Sequence, residues 1–227
     1  MIRFEKVTKK FGNGTVALRE VSFEVKKGDF LSVVGPSGSG KTTILRLLRR
    51  EILPSKGKIF FRDWDLTKLS EAKVIELRRK IAVIFQDYKL LEERTVFENV
   101  AIALEVMSVK AQEIRRKVEE VLEEVELLEK KDFFPAQLSG GEIQRTAVAR
   151  AMVSSPEVIL ADEPTADLDP ATTWEIIGLF DKLNKKDKTT IILATHDFDI
   201  VNTLKRRVIA LDKGQVVSDV EKGGYDT

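Results

Sequence analysis

Apolar and polar residues alternate in short runs through the first 34 residues of the chain. The segments IRFEKV, ALREVSFEV and DFLSVVG predict three strands, separated by turn residues at positions 12–14 and 27–29. The pattern then predicts, in chain order, a helix at about residues 41–51, a strand and turn in KIFFRDWDL, a helix at 70–80 and a buried strand at 81–87.

The pattern changes at residue 95, because residues 95–154 are almost wholly helical in their spacing of apolar positions. In the segment KVEEVLEEVELLEK, one helix face is apolar and glutamates fill the other. We expect these glutamates to form a solvated face. The apolar face consists of Val118, Val121, Leu122, Val125 and Leu128.

Buried-strand patterns return after residue 156. They lie in VILADE (158–163) and TTIILATHD (189–197), with a helix at about 171–184 between them and a hairpin around residues 212–214. Strands alternating with helices predict an α/β core. A helical insert of about sixty residues interrupts it.

The composition narrows the class of protein. With 227 residues, 43% hydrophobic and 33% charged, the chain is typical of soluble globular proteins. Its formal net charge of +1 provides no overall field toward nucleic acid, so we expect no nucleic-acid partner. No segment approaches 18 uninterrupted apolar residues, so no bilayer span is expected, and the first 14 residues lack the apolar core of a signal peptide.

A glycine-rich loop lies between a predicted strand and a predicted helix. Residues 35–42 read GPSGSGKT, which fits the phosphate-binding pattern G-x-x-x-x-G-K-[ST]. In such a loop, backbone amides and the helix N-terminus bind phosphate oxygens. We expect Lys41 to reach the β- and γ-phosphates of a nucleotide and Thr42 to offer its hydroxyl to Mg²⁺. The alternative is a Gly/Ser-rich turn that binds nothing, which the flanking strand and helix disfavour.

Acidic and polar residues end three other predicted strands. Asp162 and Glu163 end VILADE, where Asp162 suits the Mg²⁺ shell and Glu163 suits a general base for water attacking the γ-phosphate. His196, the one histidine, ends another buried strand and is a candidate γ-phosphate sensor. Gln86 ends IAVIFQ, and its own context taken alone favours an ordinary turn donor.

A second helix N-terminus also has the features of an anion site. In QLSGGEIQR, Ser139 and Glu142 have the spacing of a capping box, and Gly140 and Gly141 fall in the first helical turn. Each glycine costs roughly 1 kcal/mol relative to alanine inside a helix, so a requirement for bare backbone is indicated. Two anion-binding helix ends for one triphosphate indicate that the second serves the nucleotide of another chain.

Together these motifs resemble those of the nucleotide-binding subunits of ABC transporters over about residues 2–217. GPSGSGKT resembles Walker A, VILADE resembles Walker B, LSGGE resembles the signature, ADLD (166–169) resembles the D-loop, and Gln86 and His196 match the Q-loop and switch histidine. Glu142 stands where many relatives have Gln, a change that the capping box makes benign.

The resemblance implies a single P-loop NTPase domain with three parts. A core and an N-terminal antiparallel β-subdomain would occupy about residues 1–87 and 156–227, and a helical subdomain about 88–155. It implies ATP hydrolysis, with Glu163, His196 and Gln86 in catalysis and Thr42, Gln86 and Asp162 around Mg²⁺. The implied nucleotide-binding residues are Phe11, Val16, Gly35, Pro36, Ser37, Gly38, Ser39, Gly40, Lys41, Thr42, Thr43, Ser139, Gly140, Gly141, Glu142 and Asp169.

The same resemblance implies partners. Two subunits would pair head to tail on ATP, with Ser139, Gly140 and Gly141 of one chain on the γ-phosphate held by the other. The stretches FQDYKLLEERTVFENVA and FPAQLSGGEIQRTAVARAMV resemble most the cell-division members of the family. These would act at the cytoplasmic face of the plasma membrane, with an integral membrane partner, to regulate cell-wall hydrolysis. A partner helix would dock near residues 86–100.

Two alternatives remain open at this point. The first is the ATPase of a lipoprotein-release or macrolide-export transporter. The second is a soluble ABC protein, such as a DNA-repair or chromosome-organising head or a translation factor. The second is disfavoured because the motifs are not interrupted by a long coiled coil and only one cassette is present.

Overall fold

A six-stranded, mostly parallel sheet forms the centre of the computed structural model, which describes residues 1–224. The last three residues of the predicted segment 156–227 lie outside the described residues. The strand order is β10-β9-β3-β8-β7-β6, and only β10 pairs antiparallel, with β9. A separate four-stranded antiparallel sheet has the order β2-β1-β4-β5.

The elements have the following bounds. The strands are β1 (Ile2–Lys10), β2 (Val16–Val25), β3 (Phe30–Val34), β4 (Lys56–Phe61), β5 (Trp64–Asp65), β6 (Ile81–Ile84), β7 (Val158–Asp162), β8 (Thr190–Ala194), β9 (Arg207–Asp212) and β10 (Gln215–Val220). The α-helices are α1 (Lys41–Leu48), α2 (Glu71–Lys80), α3 (Val96–Glu105), α4 (Ala111–Glu124), α5 (Gly140–Met152), α6 (Pro170–Asp187) and α7 (Phe198–Leu204).

The central strands β3 and β8 are buried along their whole length, and β7 is buried up to its last residue. Successive side chains point to opposite faces, so each strand contributes to two cores. Ile159 and Ala161 pack with α3, α4, α5 and α6 on one face. Val158 and Leu160 pack with α1, α2 and the antiparallel sheet on the other. The sheet is therefore covered on both sides, as its continuous apolar runs require.

The segment predicted to be helical contains α3, α4 and α5. Val118, Leu122 and Val125 are fully buried, in the same core as the sheet residues Ile159 and Ile191. The glutamates of α4 lie away from this core, and three of them pair with arginine or lysine one turn away, as Arg116 and Glu120 do at 2.7 Å. The helical segment is thus packed onto the sheet through one continuous apolar core.

Several predicted boundaries differ from the structure, and backbone conformation explains three of them. The helix predicted to reach residue 51 ends at Leu48, because Arg50 adopts a left-handed conformation with φ 56°. The strand predicted to reach residue 87 ends at Ile84, and a turn with left-handed Tyr88 and Lys89 follows. The strand predicted to include Glu163 ends one residue earlier, because Glu163 has φ 48°.

The helix predicted at 171–184 extends in both directions, to Pro170–Asp187. Helix α7 was not predicted, because its seven residues span only about two turns, which is too short to define a helical period. Within residues 1–224, no helix combines the length and apolarity that crossing a bilayer requires.

Leu122→Ala tests whether the helical segment and the sheet unfold together. Leu122 is fully buried on α4, and removing its side chain should lower the free energy of unfolding by about 2–5 kcal/mol. Urea unfolding followed by far-UV circular dichroism and by fluorescence of Trp64 and Trp174 should show one shifted transition for both signals. Glu123→Ala, at the exposed neighbouring position, should change stability by less than about 0.5 kcal/mol. Loss of helical signal ahead of the fluorescence change would contradict a shared core.

Candidate active site

The carboxyl ends of four parallel strands meet at one edge of the central sheet. The pairing register aligns Val33 of β3 with Ala194 of β8, Ala194 with Asp162 of β7, and Ala161 with Ile84 of β6. The candidate site residues Gln86, Glu163 and His196 follow the ends of β6, β7 and β8. Open α/β sheets bind ligands at such an edge, outside the carboxyl ends of the strands.

A cavity of about 670 Å³ lies at this edge. The glycine-rich loop from Pro36 onward, the first helical residues and three strand-end residues line it together. The structure thus brings together residues far apart in the sequence. The lining residues are Ala17, Pro36, Ser37, Gly38, Ser39, Gly40, Lys41, Thr42, Thr43, Gln86, Glu163, His196 and Phe198.

The loop conformation requires glycine at residue 40. Gly40 has φ 111°, a region that residues with a side chain rarely adopt, and it precedes the first residue of α1. A Cβ atom there would lie 2.7 Å from Leu18 Cδ2 and 2.8 Å from the carbonyl oxygen of Ala17. The loop can therefore pack tightly against β2 while the N-terminus of α1 opens into the cavity, where its dipole favours an anion.

Lys41 is held inside the cavity by oxygen atoms. Its Nζ donates to the carbonyl oxygens of Gly35 at 2.7 Å and Pro36 at 3.4 Å, and it lies 3.4 Å from Glu163 Oε1. Only 8% of the lysine side chain and 15% of the glutamate side chain are exposed. This places a cation and a candidate base next to each other under the glycine-rich loop.

Glu163 occupies a strained backbone position at the end of β7. A φ of 48° is unfavourable for a residue with a β-carbon, and Glu163 is the residue of this kind that directly follows β7. The backbone N–H of Glu163 donates to Ala194 at 2.9 Å. The backbone N–H of His196 donates to Glu163 Oε2 at 3.2 Å, and His196 Nδ1 lies 2.9 Å from the same oxygen. The carboxylate is therefore oriented from the end of β8.

Asp162 lies one residue earlier and contacts Thr42. The Thr42 hydroxyl donates to Asp162 Oδ1 at 3.2 Å. Burial raises the pKa of Asp162; the adjacent Glu163 carboxylate adds to this, and the Thr42 hydrogen bond opposes it. A nearby divalent cation would favour the ionised form.

The residues present fit Mg²⁺ bound together with a nucleotide. Mg²⁺ prefers oxygen ligands and is usually held by one or two carboxylates, water and substrate phosphates. The Thr42 hydroxyl, the Asp162 carboxylate and the Gln86 amide provide such oxygens around the cavity. No group of three or more His, Cys, Asp or Glu residues within 1–224 forms a metal cage without phosphates.

The predicted capping box is present at the start of α5. Ser139 N–H donates to Glu142 Oε2 at 3.0 Å, and Glu142 N–H donates to Ser139 Oγ at 3.4 Å. A salt bridge from Lys130 at 2.6 Å, together with the Ser139 amide, holds the pKa of Glu142 below its usual range. In the described chain, none of residues 139–142 lines the phosphate cavity.

The two glycines of this helix start meet different surroundings. A Cβ atom on Gly141 would lie 2.6 Å from Thr172 Cγ2 at the start of α6, so a side chain there would force Thr172, whose hydroxyl is bonded to Asp169, to shift. A Cβ atom on Gly140 would meet only Leu168 Cδ2, at 3.9 Å. Contacts within this chain therefore account for the lack of a side chain at position 141, but not at position 140.

Five other predicted residues do not line the cavity. Gly35 and Asp162 contact Lys41 and Thr42, which do line it, and the remaining three are Phe11, Val16 and Asp169. Asp169 caps α6, with one carboxylate oxygen accepting from the amides of Ala171 and Thr172 and the other from the Thr172 hydroxyl. Phe11 lies at the turn between β1 and β2, where Lys9 approaches its ring, and Val16 begins β2. A nucleotide contact for these three residues stays a prediction.

Two cavity residues were not predicted from the sequence. Ala17 reaches the cavity because β2 packs against Gly40 and Gly214. Phe198 reaches it from the first position of α7. Phe198 directly follows the strand-end sequence THD, so its position near His196 could have been predicted from the sequence. The methyl side chain of Ala17 gives no such indication.

A phosphate cavity on an α/β core, with an antiparallel sheet and a helical insert, defines an ATP-binding cassette. The chain belongs to the ABC transporter family, whose model matches residues 18–166, and it is an ATP-binding ATPase subunit. Over its full length it is similar to the cell division ATP-binding protein FtsE. Identity is 50% with that of Streptococcus pneumoniae (strain D39), covering 100% of this chain and 99% of that one. It is 47% with that of Bacillus subtilis (strain 168), covering 99% and 98%.

A solved structure supports the fold assignment. The ATP-binding cassette MJ0796, described as a dimeric post-hydrolysis state bound to ADP and Pi, is 34% identical with a TM-score of 0.90. The similarity covers 99% of this chain and 100% of that one. The predicted α/β ABC ATPase fold is therefore confirmed.

Alanine substitutions at Gly140 and Gly141 should differ in their effect on thermal stability. Gly141→Ala should lower thermal stability, because its Cβ would collide with Thr172, whereas Gly140→Ala should leave the melting temperature near wild type. Differential scanning calorimetry without nucleotide measures both. Equal destabilisation by the two variants would contradict the distinction.

Proposed function

We propose that this chain is the ATPase subunit of an FtsE/FtsX-type complex. In it, an ATP-driven homodimer acts on an integral membrane partner and thereby regulates cell-wall hydrolysis during cell division. Full-length similarity to two proteins named for cell division carries this proposal. A lipoprotein-release or macrolide-export ATPase is the alternative, and it would use the same catalytic residues.

Hydrolysis in this proposal uses the side chains at the strand ends. Lys41 and the glycine-rich loop bind the phosphates, and the Lys41 ammonium neutralises charge on the γ-phosphate. Glu163 accepts a proton from the attacking water, in an orientation that His196 fixes at 2.9 Å. Thr42, Asp162 and Gln86 hold Mg²⁺, which supplies further charge neutralisation when bound.

The dimer follows from the position of α5. Its N-terminus offers amides and the Ser139 hydroxyl, yet lies outside the cavity of its own chain. We place Ser139, Gly140 and Gly141 on the γ-phosphate held by a second copy arranged head to tail. The open space around Gly140 supports this, because the backbone there can be approached from outside. ATP then brings two chains together, and hydrolysis releases them.

Glu163→Gln tests the dimer. Without the base, hydrolysis should slow by about 10²–10⁴-fold while ATP still binds, so the variant should accumulate as an ATP-bound dimer. Light scattering in saturating ATP and Mg²⁺ measures this.

Two further variants control the dimer experiment. Gly140→Ala added to Glu163→Gln should reduce dimerisation at unchanged ATP affinity. Lys41→Ala should lose nucleotide binding and remain monomeric. A monomeric Glu163→Gln protein that binds ATP normally would exclude the proposed arrangement.

An apolar groove provides a surface for the membrane partner. It has a volume of about 480 Å³ and lies between α2, β6, α3 and the end of α5. Ile75 and Val106 are 55% and 68% exposed on its rim, which is unusual for apolar side chains. We propose that a short amphipathic helix of an FtsX-like membrane protein docks here. The lining residues of this groove precede and follow the predicted stretch 86–100, and none lies within it. The protein would then be peripheral, at the cytoplasmic face of the plasma membrane.

Val106→Asp should prevent this docking without changing the catalytic site. The added charge would be desolvated under an apolar partner helix, so recovery of the partner should fall at least tenfold. The measurement is a pull-down of tagged Glu163→Gln protein from native membranes in ATP, with bound proteins identified by mass spectrometry.

Val217→Asp, on the distant strand β10 and with a similarly exposed valine, is the matched control and should retain the partner. ATP-driven dimerisation should be normal in both variants. Recovery of a lipoprotein-release or drug-export permease would support the alternative function.

A further inference from the structure

The loop that carries Gln86 into the cavity has an unfavourable backbone conformation. After β6 ends at Ile84, Tyr88 and Lys89 both adopt left-handed conformations, with φ 55° and 51°. Two successive residues with side chains rarely do so unless the surrounding structure holds them. The contacts that hold this loop therefore determine where Gln86 lies.

The far end of the loop is fixed by one buried amide. Asn99 of α3 is completely buried; its Oδ1 accepts from the Leu91 amide, and its Nδ2 donates to the carbonyl oxygens of Leu91, Arg94 and Thr95. These bonds reach no closer to Gln86 than Leu91. The strained pair at residues 88 and 89 needs a different partner.

Arg150 is that partner. Its Nη2 donates to the carbonyl oxygen of Tyr88 and its Nη1 to that of Lys89, both at 2.7 Å. The planar guanidinium can donate two parallel hydrogen bonds, which matches two neighbouring carbonyl groups. One side chain thus holds both left-handed residues, two and three positions after Gln86.

Within residues 1–224, the guanidinium of Arg150 forms no salt bridge. No carboxylate in that range lies within ion-pair distance of it, and burial lowers its pKa. By comparison, Arg145 on the same helix pairs with Glu175 at 2.8 Å. Partial removal of a guanidinium from water without a counter-ion is unfavourable, and the two hydrogen bonds to the carbonyl oxygens offset part of that cost.

Arg150 also links two functional segments. It lies in the last turn of α5, whose first turn contains Gly140 and Gly141, and it lines the apolar groove. A rigid helix therefore connects the proposed γ-phosphate contact in the second subunit with the loop of Gln86 in the first.

We infer that Arg150 is a positioning residue that ties the Gln86 loop to α5 and so sets the placement of Gln86 for Mg²⁺-dependent hydrolysis. The inference rests on the proposed role of Gln86. It predicts a defect in turnover and Mg²⁺ dependence, with ATP binding by the glycine-rich loop intact.

Arg150→Met removes the two donors while keeping an unbranched, flexible side chain in place of the arginine methylene groups. Its kcat should fall about tenfold or more, and the Mg²⁺ concentration for half-maximal activity should rise, as when support for a metal ligand is lost. ATP affinity measured in EDTA should stay within twofold of wild type. Arg150→Lys, which keeps the charge and can donate to a carbonyl, should give intermediate values. If Arg150→Met does not fold, the Arg150→Lys variant provides the test. A wild-type kcat together with a wild-type Mg²⁺ dependence in Arg150→Lys would then overturn the inference.

A double-mutant cycle with Gln86→Ala tests whether Arg150 affects kcat through Gln86. If Arg150 acts through Gln86, Arg150→Met should cause little further loss of kcat in the Gln86→Ala background. Arg145→Met, from the same helix, should keep the wild-type Mg²⁺ dependence and serves as the matched control. The inference about Arg150 is overturned if the losses of kcat in the two single variants add fully in the double variant. It is also overturned if Arg150→Met has a wild-type Mg²⁺ dependence. Neither result affects the proposed function. A Gln86→Ala protein with normal turnover overturns the proposed role of Gln86 and this inference with it.

Discussion

The parallel register of four buried strands is the constraint on which the rest of the molecule depends. Because β3, β8, β7 and β6 run in the same direction and end together, the residues after their carboxyl ends share one edge. Lys41, Gln86, Glu163 and His196 meet there without lying near one another in the sequence. Such pairing is possible only where both faces of the sheet are covered, and the two apolar cores provide that cover.

Helix α5 contacts several of the segments near this edge. Its first turn approaches Thr172 through Gly141, and its buried Gln144 donates to the carbonyl oxygen of Pro164, one residue after Glu163. Its last turn holds the loop of Gln86 through Arg150. A helix with hydrogen bonds to loops at both of its ends moves them together. A displacement of α5 by a second subunit or a membrane partner would therefore reach Gln86 and the residues around Glu163.

Of the thirteen residues other than glycine that have a positive φ within residues 1–224, three lie beside the cavity. Glu163, Tyr88 and Lys89 are left-handed although none is glycine, and each lies just after a strand end at the cavity edge. Each also has specific support, from the end of β8 in the first case and from Arg150 in the other two. What distinguishes these three residues is that contacts from other elements hold them next to residues lining the cavity.

The sequence by itself determined the features that depend on neighbouring residues. The glycine-rich loop, the Ser139–Glu142 capping box and the buried strands could be predicted because their residues lie within a few positions of one another. It did not predict α7 or the early ends of α1 and β6, which short-range patterns define poorly. Only the tertiary structure decided that Gly141 faces Thr172 and that Arg150 supports Tyr88, 62 residues away. Those contacts depend on how helices pack against the sheet, and no local spacing of residues encodes that packing.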